Sequence, residues 1–524
     1  MVYREDGRLP LIYVRGFAGQ NIDDVIEDPF YGFSRGSVHV RADGRGKPQF
    51  HQFESPLLRL VTDHGYTVPV HGDQRRYLDR AAPGTVDAAS IWIHRFYDVA
   101  AASLLEDPDE FSLEKAADDL FRLIRLVLSK TGAPKVFLVA HSMGGLICRS
   151  LLQRVIPEAD ADGGAVDPGA GRNYVARLFT YATPHGGIRS AVGGGILERL
   201  RDLTGVLGAD VFGPRRMYDY LTPAGLRASY PQEQFKATRM PSDGFPVNEI
   251  FCLIGSNAAD YDVFFGLSST SVGPKSDGLV QMDNAVVEGA HRAVVHRSHG
   301  GRFGIVNSEE GYQNLQRFLF GDLQVKLETV GFDVGSQYPR DLEFQMDVGL
   351  AIRGLPVLVH EQTAAHHCPV LVERLKEGDP IDSPKPLLTT FLSSTAPRPF
   401  ADGAEVPRLR HALKLRLMAI REDGETLSLE DHMEQTEEWV DTLMMDIQSP
   451  DETHPLPKAW AIWTSGLEKT LREWNPSVSG SLADLEKARS NYWVGEIPVP
   501  AVARHLLGES ARIRITVAPR SVGR

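Results

Sequence analysis

Ser142 stands in the stretch Ala140-His141-Ser142-Met143-Gly144, directly after the apolar run Val136–Val139 and directly before the helical pattern Leu146, Ile147, Leu151, Leu152 and Val155. A serine between a buried strand and a helix passes through a tight, strained turn, and small residues two positions either side let the neighbouring backbones through. Such a turn lifts the hydroxyl out of the sheet and sets it at a helix N-terminus, where unpaired N–H groups and partial positive charge collect. That combination is a nucleophile elbow, and its chemistry is acyl transfer.

A serine hydroxyl is a weak nucleophile at neutral pH, so a base must take its proton and a carboxylate must hold that base in one tautomer. In a strand–elbow–helix topology the partners follow the nucleophile in the order acid, then histidine, on loops after late strands. Ser276-Asp277-Gly278-Leu279-Val280 follows the apolar run Ile250–Ile254 and makes Asp277 the first candidate for the acid, with Asp260, Asp262 and Asp283 as alternatives. His296-Arg297-Ser298-His299-Gly300-Gly301 follows the run Ala293–Val295. His299, in the loop just before two glycines, is the better base. His296 continues the strand, His291 precedes it, and His185 comes too early in the order, where it reads as a pocket-wall or loop-bracing residue. The tetrahedral intermediate needs two N–H donors. The backbone of Met143 supplies one; the loop Val14-Arg15-Gly16-Phe17-Ala18-Gly19 supplies the other, with Phe17 N–H the choice.

These side chains converge only if the elements carrying them share one sheet. In the first half, Leu11–Val14, Tyr66–Val70, Ile91–Phe96, Val136–Val139, Arg177–Tyr181, Ile250–Ile254 and Ala293–Val295 read as strands. A helix opens at Ser112, carries Leu113, Ala116, Ala117, Leu120, Ile124, Val127 and Leu128 on one face, and stops at Gly132; another opens at Ser308 and stops at Gly321. Alternating strands and helices predict a mostly parallel sheet, an α/β architecture. Glu158–Arg172 lacks periodicity and reads as a surface loop. Ile188–Pro246, with helical pieces at Ile196–Leu207 and Arg215–Leu221, lies where a cap over an active site is inserted.

From about Leu323 the pattern becomes period-two. Val325–Thr329, Leu342–Val348, Pro356–His360, Leu387–Leu392, His411–Leu417, Trp439–Ile447, Trp460–Trp463, Tyr492–Val499 and Ala511–Val517 read as strands, with one helical piece near Leu482–Ser490. The expectation is an antiparallel β-sandwich over residues 323–524 after a first domain over 1–322.

The segments around Gly16, Ser142, Thr183, Asp277 and His299 resemble the α/β-hydrolase lipases, especially bacterial triacylglycerol lipases and esterases with an Ala-His-Ser-Met-Gly-Gly elbow, and more remotely glycosylphosphatidylinositol deacylases. The resemblance covers about residues 8 to 322. It implies an α/β-hydrolase fold with a Ser142–His299–Asp277 triad and a carboxylic ester hydrolase acting on lipid-like or medium-chain esters without a cofactor. Family members usually carry His-Gly in the oxyanion loop; this chain has Arg15-Gly16, which adds a charge able to meet a substrate phosphate or carboxylate. A phospholipase is therefore the first alternative, and a catalytically silent binding module of the same fold the second. The C-terminal sandwich resembles accessory domains of some lipases, which would either contact a lipid surface or stabilise the hydrolase.

The bulk properties narrow the partners. A net charge of -13 argues against nucleic acid and against recruitment to anionic lipid. The charged start Met1–Pro10, followed by four apolar residues, lacks the apolar core of a secretory signal, and Cys148, Cys252 and Cys368 are too few for a disulfide framework, so the expectation is a cytoplasmic protein. His366-His367-Cys368 lacks companions at zinc spacing, Asp160, Asp162 and Asp167 lack the alternation of a calcium loop, and no glycine pair leads into Lys-Ser/Thr. No metal and no cofactor is expected; oligomeric state is not legible.

Overall fold

In a computed structural model of the chain, the residues described are 8–16, 37–42, 47–69, 74–94, 112–188, 209–260, 274–301, 303–334, 338, 342–372, 374, 380, 382–393, 408–421, 434–450, 452, 455–467, 474, 481–486 and 491–520. They divide into two compact units, Met1–Arg292 with His296–Leu319, and Ala293–Val295 with Phe320–Ser521.

The first unit is built on β1 (Leu11–Val14), β4 (Ile91–His94), β5 (Val136–His141), β6 (Val175–Tyr181) and β7 (Ile250–Gly255), which with β8 (His291–Val295) form one sheet in the order β4-β1-β5-β6-β7-β8. A separate antiparallel pair, β2 (Ser37–Ala42) and β3 (Pro48–Phe53), lies outside it. The pairings β1 with β4, β1 with β5, β5 with β6 and β6 with β7 are all parallel. Strands buried on both faces need continuous apolar runs, and Leu11–Val14 and Val136–Ala140 are completely buried.

The helices are α1 (Pro56–His64), α2 (Gln74–Arg80), α3 (Leu113–Thr131), α4 (Met143–Ser150), α5 (Ile156–Ala161), α6 (Pro214–Leu221) and α7 (Glu309–Phe320). In α3 the Ser112 hydroxyl accepts from Lys115 N at 3.1 Å and Gly132 closes the last turn at φ 70°. Its apolar face, Leu113, Ala116, Leu120, Ile124 and Val127, joins the core formed by β1, β5 and β6. Truncating Leu120 or Ile124 to Ala there costs about 2–5 kcal/mol. This parallel sheet with flanking helices, an elbow after β5 and an insertion between β6 and β7 is the α/β-hydrolase fold.

Between α4 and α5 the helix widens into a π-turn, Leu151–Val155. The widened helix grips the inserted segment. Arg149, fully buried and with no carboxylate partner among the described residues, donates to Ala237 O at 2.6 Å, His185 O at 3.2 Å and Gln153 Oε1 at 2.9 Å. Gln153 Nε2 donates to Leu221 O, and Arg154 Nη1 to Asp219 O at 2.9 Å. Burial draws the Arg149 guanidinium down to about 10, which leaves it charged at neutral pH.

The second unit contains two antiparallel sheets. One runs β11 (Leu358–Gln362), β10 (Leu342–Ile352), β14 (Arg408–Arg421), β15 (Glu434–Gln448), β16 (Lys458–Trp463), with β12 (Val370–Leu371) on β10. The other runs β13 (Lys385–Leu392), β9 (Leu323–Val330), β18 (Arg512–Pro519), β17 (Trp493–Pro498). Alternate residues, Val325 and Leu327, Val348 and Leu350, Leu413, Leu415 and Leu417, Ile513 and Ile515, meet in one apolar core between the sheets. That is a β-sandwich. A helix α8 (Ala501–Leu507) adds Ala503, Leu506 and Leu507 to that core.

Some local expectations fail. The described part of Tyr66–Val70, residues 66–69, is no strand and makes only a bridge from Thr67 to Ser90; Pro69 has no N–H to offer a ladder. Glu158–Ala161 continues α5 instead of opening a loop. The described part of Leu482–Ser490, residues 482–486, is not helical; the helix of this region is α8, behind Pro500 at its N-cap. Ile196–Leu207 lies outside the described residues, whereas Arg215–Leu221 falls within α6. All three cysteines are reduced and buried. Among the described residues no helix is long and apolar enough to cross a membrane, and no group of three or more His, Cys, Asp or Glu is arranged to hold a metal ion.

Candidate active site

β5 ends at His141 and α4 begins at Met143, so Ser142 alone makes the turn, at φ 55° and ψ −130°. Such backbone costs a non-glycine residue about 1–3 kcal/mol and persists only where the surroundings over-determine it. Here Ser142 N–H donates to Tyr181 O at 2.9 Å, and Gly145 N–H donates back to Ser142 O at 3.0 Å. The loop after β1 presses against the turn. A Cβ on Gly16 would collide with Ser142 Cβ and stand 2.9 Å from His141 O, so only glycine allows the approach.

His299 Nε2 lies 2.9 Å from Ser142 Oγ, and His299 Nδ1 lies 2.9 Å from Asp277 Oδ2. A carboxylate only accepts, so Nδ1 carries the proton and Nε2 is left to accept from the serine hydroxyl. All three residues are buried, at 8% exposure or less. Asp277 sits in a tight turn in which its Oδ1 accepts from Leu279 N at 3.0 Å and Val280 N at 2.7 Å, with Gly278 at φ 98°. One oxygen is thereby fixed by the backbone and the other is aimed at the imidazole.

The main chain of His299 is held from both sides. Its N–H donates to Asp277 O at 2.9 Å, and its carbonyl accepts from His141 Nε2 at 2.9 Å. Burial, then the neighbouring His299, pull the pKa of His141 down to about 3, so this ring is neutral and donates. Two residues upstream, Arg297 pairs with Glu310 in the first turn of α7 at 2.9 Å.

The other candidates stand apart. Asp260 accepts from Asn257 Nδ2 at 2.7 Å, and Asp283, exposed, pairs with Lys275 at 3.2 Å. Asp262 lies outside the described residues. His296 Nδ1 is 3.4 Å from Ser256 Oγ, and His291 is the first residue of β8. His185 is fully buried with its Nε2 3.2 Å from Thr180 Oγ1, and burial holds its pKa well below the usual histidine value. Met143 opens α4, so its N–H is among the four that no carbonyl of its own helix can take. Phe17 lies outside the described residues; its neighbours Arg15 and Gly16 are described, and Arg15 is half-buried. Sequence reasoning passed over His141 as a working residue and gave Thr183 no role. The one available signal was the position of His141 within the elbow.

No protein-family model and no curated protein matches the chain. Several solved structures are similar to it. The lipase BlEst2 of Bacillus licheniformis, in propeptide form, aligns at 11% identity and a TM-score of 0.29, over 86% of this chain and 96% of its own. The phospholipase PlaB of Legionella pneumophila, in complex with thio-NAD, aligns at 13% identity and a TM-score of 0.30, over 82% of this chain and 91% of its own. A lin2722 gene product of Listeria innocua aligns at 12% identity and a TM-score of 0.26, over 60% of this chain and 94% of its own. Likenesses this low fix neither an activity nor a substrate.

Proposed function

We propose that the chain is a serine hydrolase that cleaves carboxylic esters through an acyl-enzyme. The observation that carries this reading is the unbroken hydrogen-bonded line from Ser142 Oγ through His299 to Asp277, each link 2.9 Å. Ser142 Oγ attacks the ester carbonyl as His299 Nε2 takes its proton. Asp277 keeps the imidazolium in place and stabilises its charge. The developing oxyanion is met by the Met143 amide and by a second amide from the loop after Gly16, for which Phe17 is the candidate. His299 then passes its proton to the leaving alcohol, the acyl-enzyme forms, and a water activated by the same imidazole releases the acid.

The preferred substrates on this reading are lipid-like or medium-chain esters, received by the segment between β6 and β7. Labelling with a fluorophosphonate probe and hydrolysis of a p-nitrophenyl ester series test it. Ser142→Ala should abolish labelling and lower turnover roughly a millionfold. A protein that labels no faster at Ser142 than at a surface serine would be a silent fold instead.

Arg15 supports a second reading, a phospholipase, because it carries a cation into the loop packed on Ser142 and close enough to lower the pKa of His141. Fatty-acid release from phosphatidylcholine vesicles compared with tributyrin emulsions separates the two.

A further inference from the structure

Thr183 lies two residues beyond β6, and its hydroxyl donates to Ser142 O at 2.9 Å. It is 1% exposed. Two further features accompany this contact. Gly145 has no side chain, and a Cβ there would collide with Thr183 Oγ1 and stand 2.5 Å from its Cγ2. Ala182 adopts φ 48°, a left-handed backbone that disfavours alanine, and this bend follows immediately on the strand and leads directly into Thr183.

The carbonyl it grips belongs to the peptide that joins Ser142 to Met143. A trans peptide is planar, with C=O and N–H pointing to opposite edges of one rigid unit. Fixing the direction of Ser142 O therefore fixes the direction of Met143 N–H. Gly145 N–H holds that oxygen at 3.0 Å from one side, which restrains the plane in one direction. The threonine hydroxyl adds a second restraint on the same oxygen.

Resting on the hydrolase reading above, we propose that Thr183 is a positioning residue for the oxyanion site: its hydroxyl aims the Met143 amide by locking the Ser142–Met143 peptide plane. Its effect belongs to the transition state, where charge appears on the substrate oxygen, and not to the binding of the uncharged ester.

The test compares Thr183→Val, which keeps the shape and loses the donor, with Thr183→Ser, which keeps the donor. On a p-nitrophenyl ester, Thr183→Val should lose about 10-fold to 100-fold in kcat with KM within about twofold, part of the effect of removing an oxyanion donor outright. Its affinity for an aryl trifluoromethyl ketone, which adds Ser142 to form a tetrahedral oxyanion, should fall in parallel with kcat/KM. Thr183→Ser should restore most of both. Wild-type kcat in Thr183→Val, an equal loss in Thr183→Ser, or a loss confined to KM would each overturn the proposal. If Thr183→Val does not fold, Thr183→Ala against Thr183→Ser makes the same comparison. An inactive wild-type protein, unlabelled by fluorophosphonate, would instead overturn the hydrolase reading, so the two failures are distinguishable.

Discussion

His299 and Asp277 are joined twice, by Nδ1 to Oδ2 and by the His299 N–H to the Asp277 carbonyl, both at 2.9 Å. The side-chain contact sets the tautomer of the imidazole and the main-chain contact sets where the imidazole stands. Charge and position are therefore separable by mutation.

Asp277→Asn keeps the main-chain bond, and its amide oxygen can still accept from Leu279 and Val280. Loss of the carboxylate should then lower kcat by roughly ten-thousandfold, the cost of the wrong tautomer, with thermal unfolding little changed. Ester hydrolysis and a melting curve on the same sample check this. Equal losses in activity and stability would mean that Asp277 serves the loop and not the imidazole.

Gly16→Ala should damage the site through space. The added methyl meets the Cβ of Ser142 and the carbonyl of His141, both backbone-anchored, so strain of about 1–3 kcal/mol is expected together with loss of fluorophosphonate labelling. Full labelling at the wild-type rate would show that the loop simply steps aside.

Stability should fall as the solution is acidified, and histidines are one cause. Burial lowers His94 to about 4 and holds His185 well below the ordinary 6.5, and both are at least 97% covered. Below pH 6.5 the unfolded chain takes up protons that the folded chain refuses at both histidines, so the folded state loses ground, down to about pH 4 in the case of His94. Each group contributes at most about 1.4 kcal/mol per pH unit. Melting temperature measured from pH 7 to pH 5 should drop, and His185→Gln should flatten the slope. A slope unchanged by that substitution would remove His185 from the account.

Arg149→Met should loosen the hold of α4 on the inserted segment, leaving the carbonyls of Ala237 and His185 without their donor. Unpaired buried carbonyls cost about 1–3 kcal/mol each, and Lys, with one compact head group, cannot serve the spread of acceptors that Arg149 reaches. Both variants should melt early, and Arg149→Lys should not rescue. Rescue by Lys would show that charge alone matters.

What the sequence made legible was local or ordered along the chain. Ser142 was legible because a buried strand, a small-residue turn and a helix are adjacent in sequence, and Asp277 and His299 because each follows an apolar run in the order this topology requires. The sandwich was legible from alternation at positions such as Leu413, Leu415 and Leu417. Contacts across sequence distance were not. The grip of Thr183 on Ser142 spans 41 residues and that of His141 on His299 spans 158, and neither residue type announces its partner. Nor did local preference resolve residues 66–69, where Pro69 has no N–H to offer a ladder, or α8, whose seven residues are held by packing of Leu506 and Leu507 more than by any cap.

The sealed thiols give the protein a clock of its own. Cys148 on the helix behind the elbow and Cys252 in β7 lie in the first unit, and Cys368 lies in the second. An alkylating reagent can reach each sulfur only when the structure around it opens. Mass-resolved alkylation over time, at reagent concentrations high enough to trap every opening, would thus read the opening rate of each half of the chain separately, without a single engineered label.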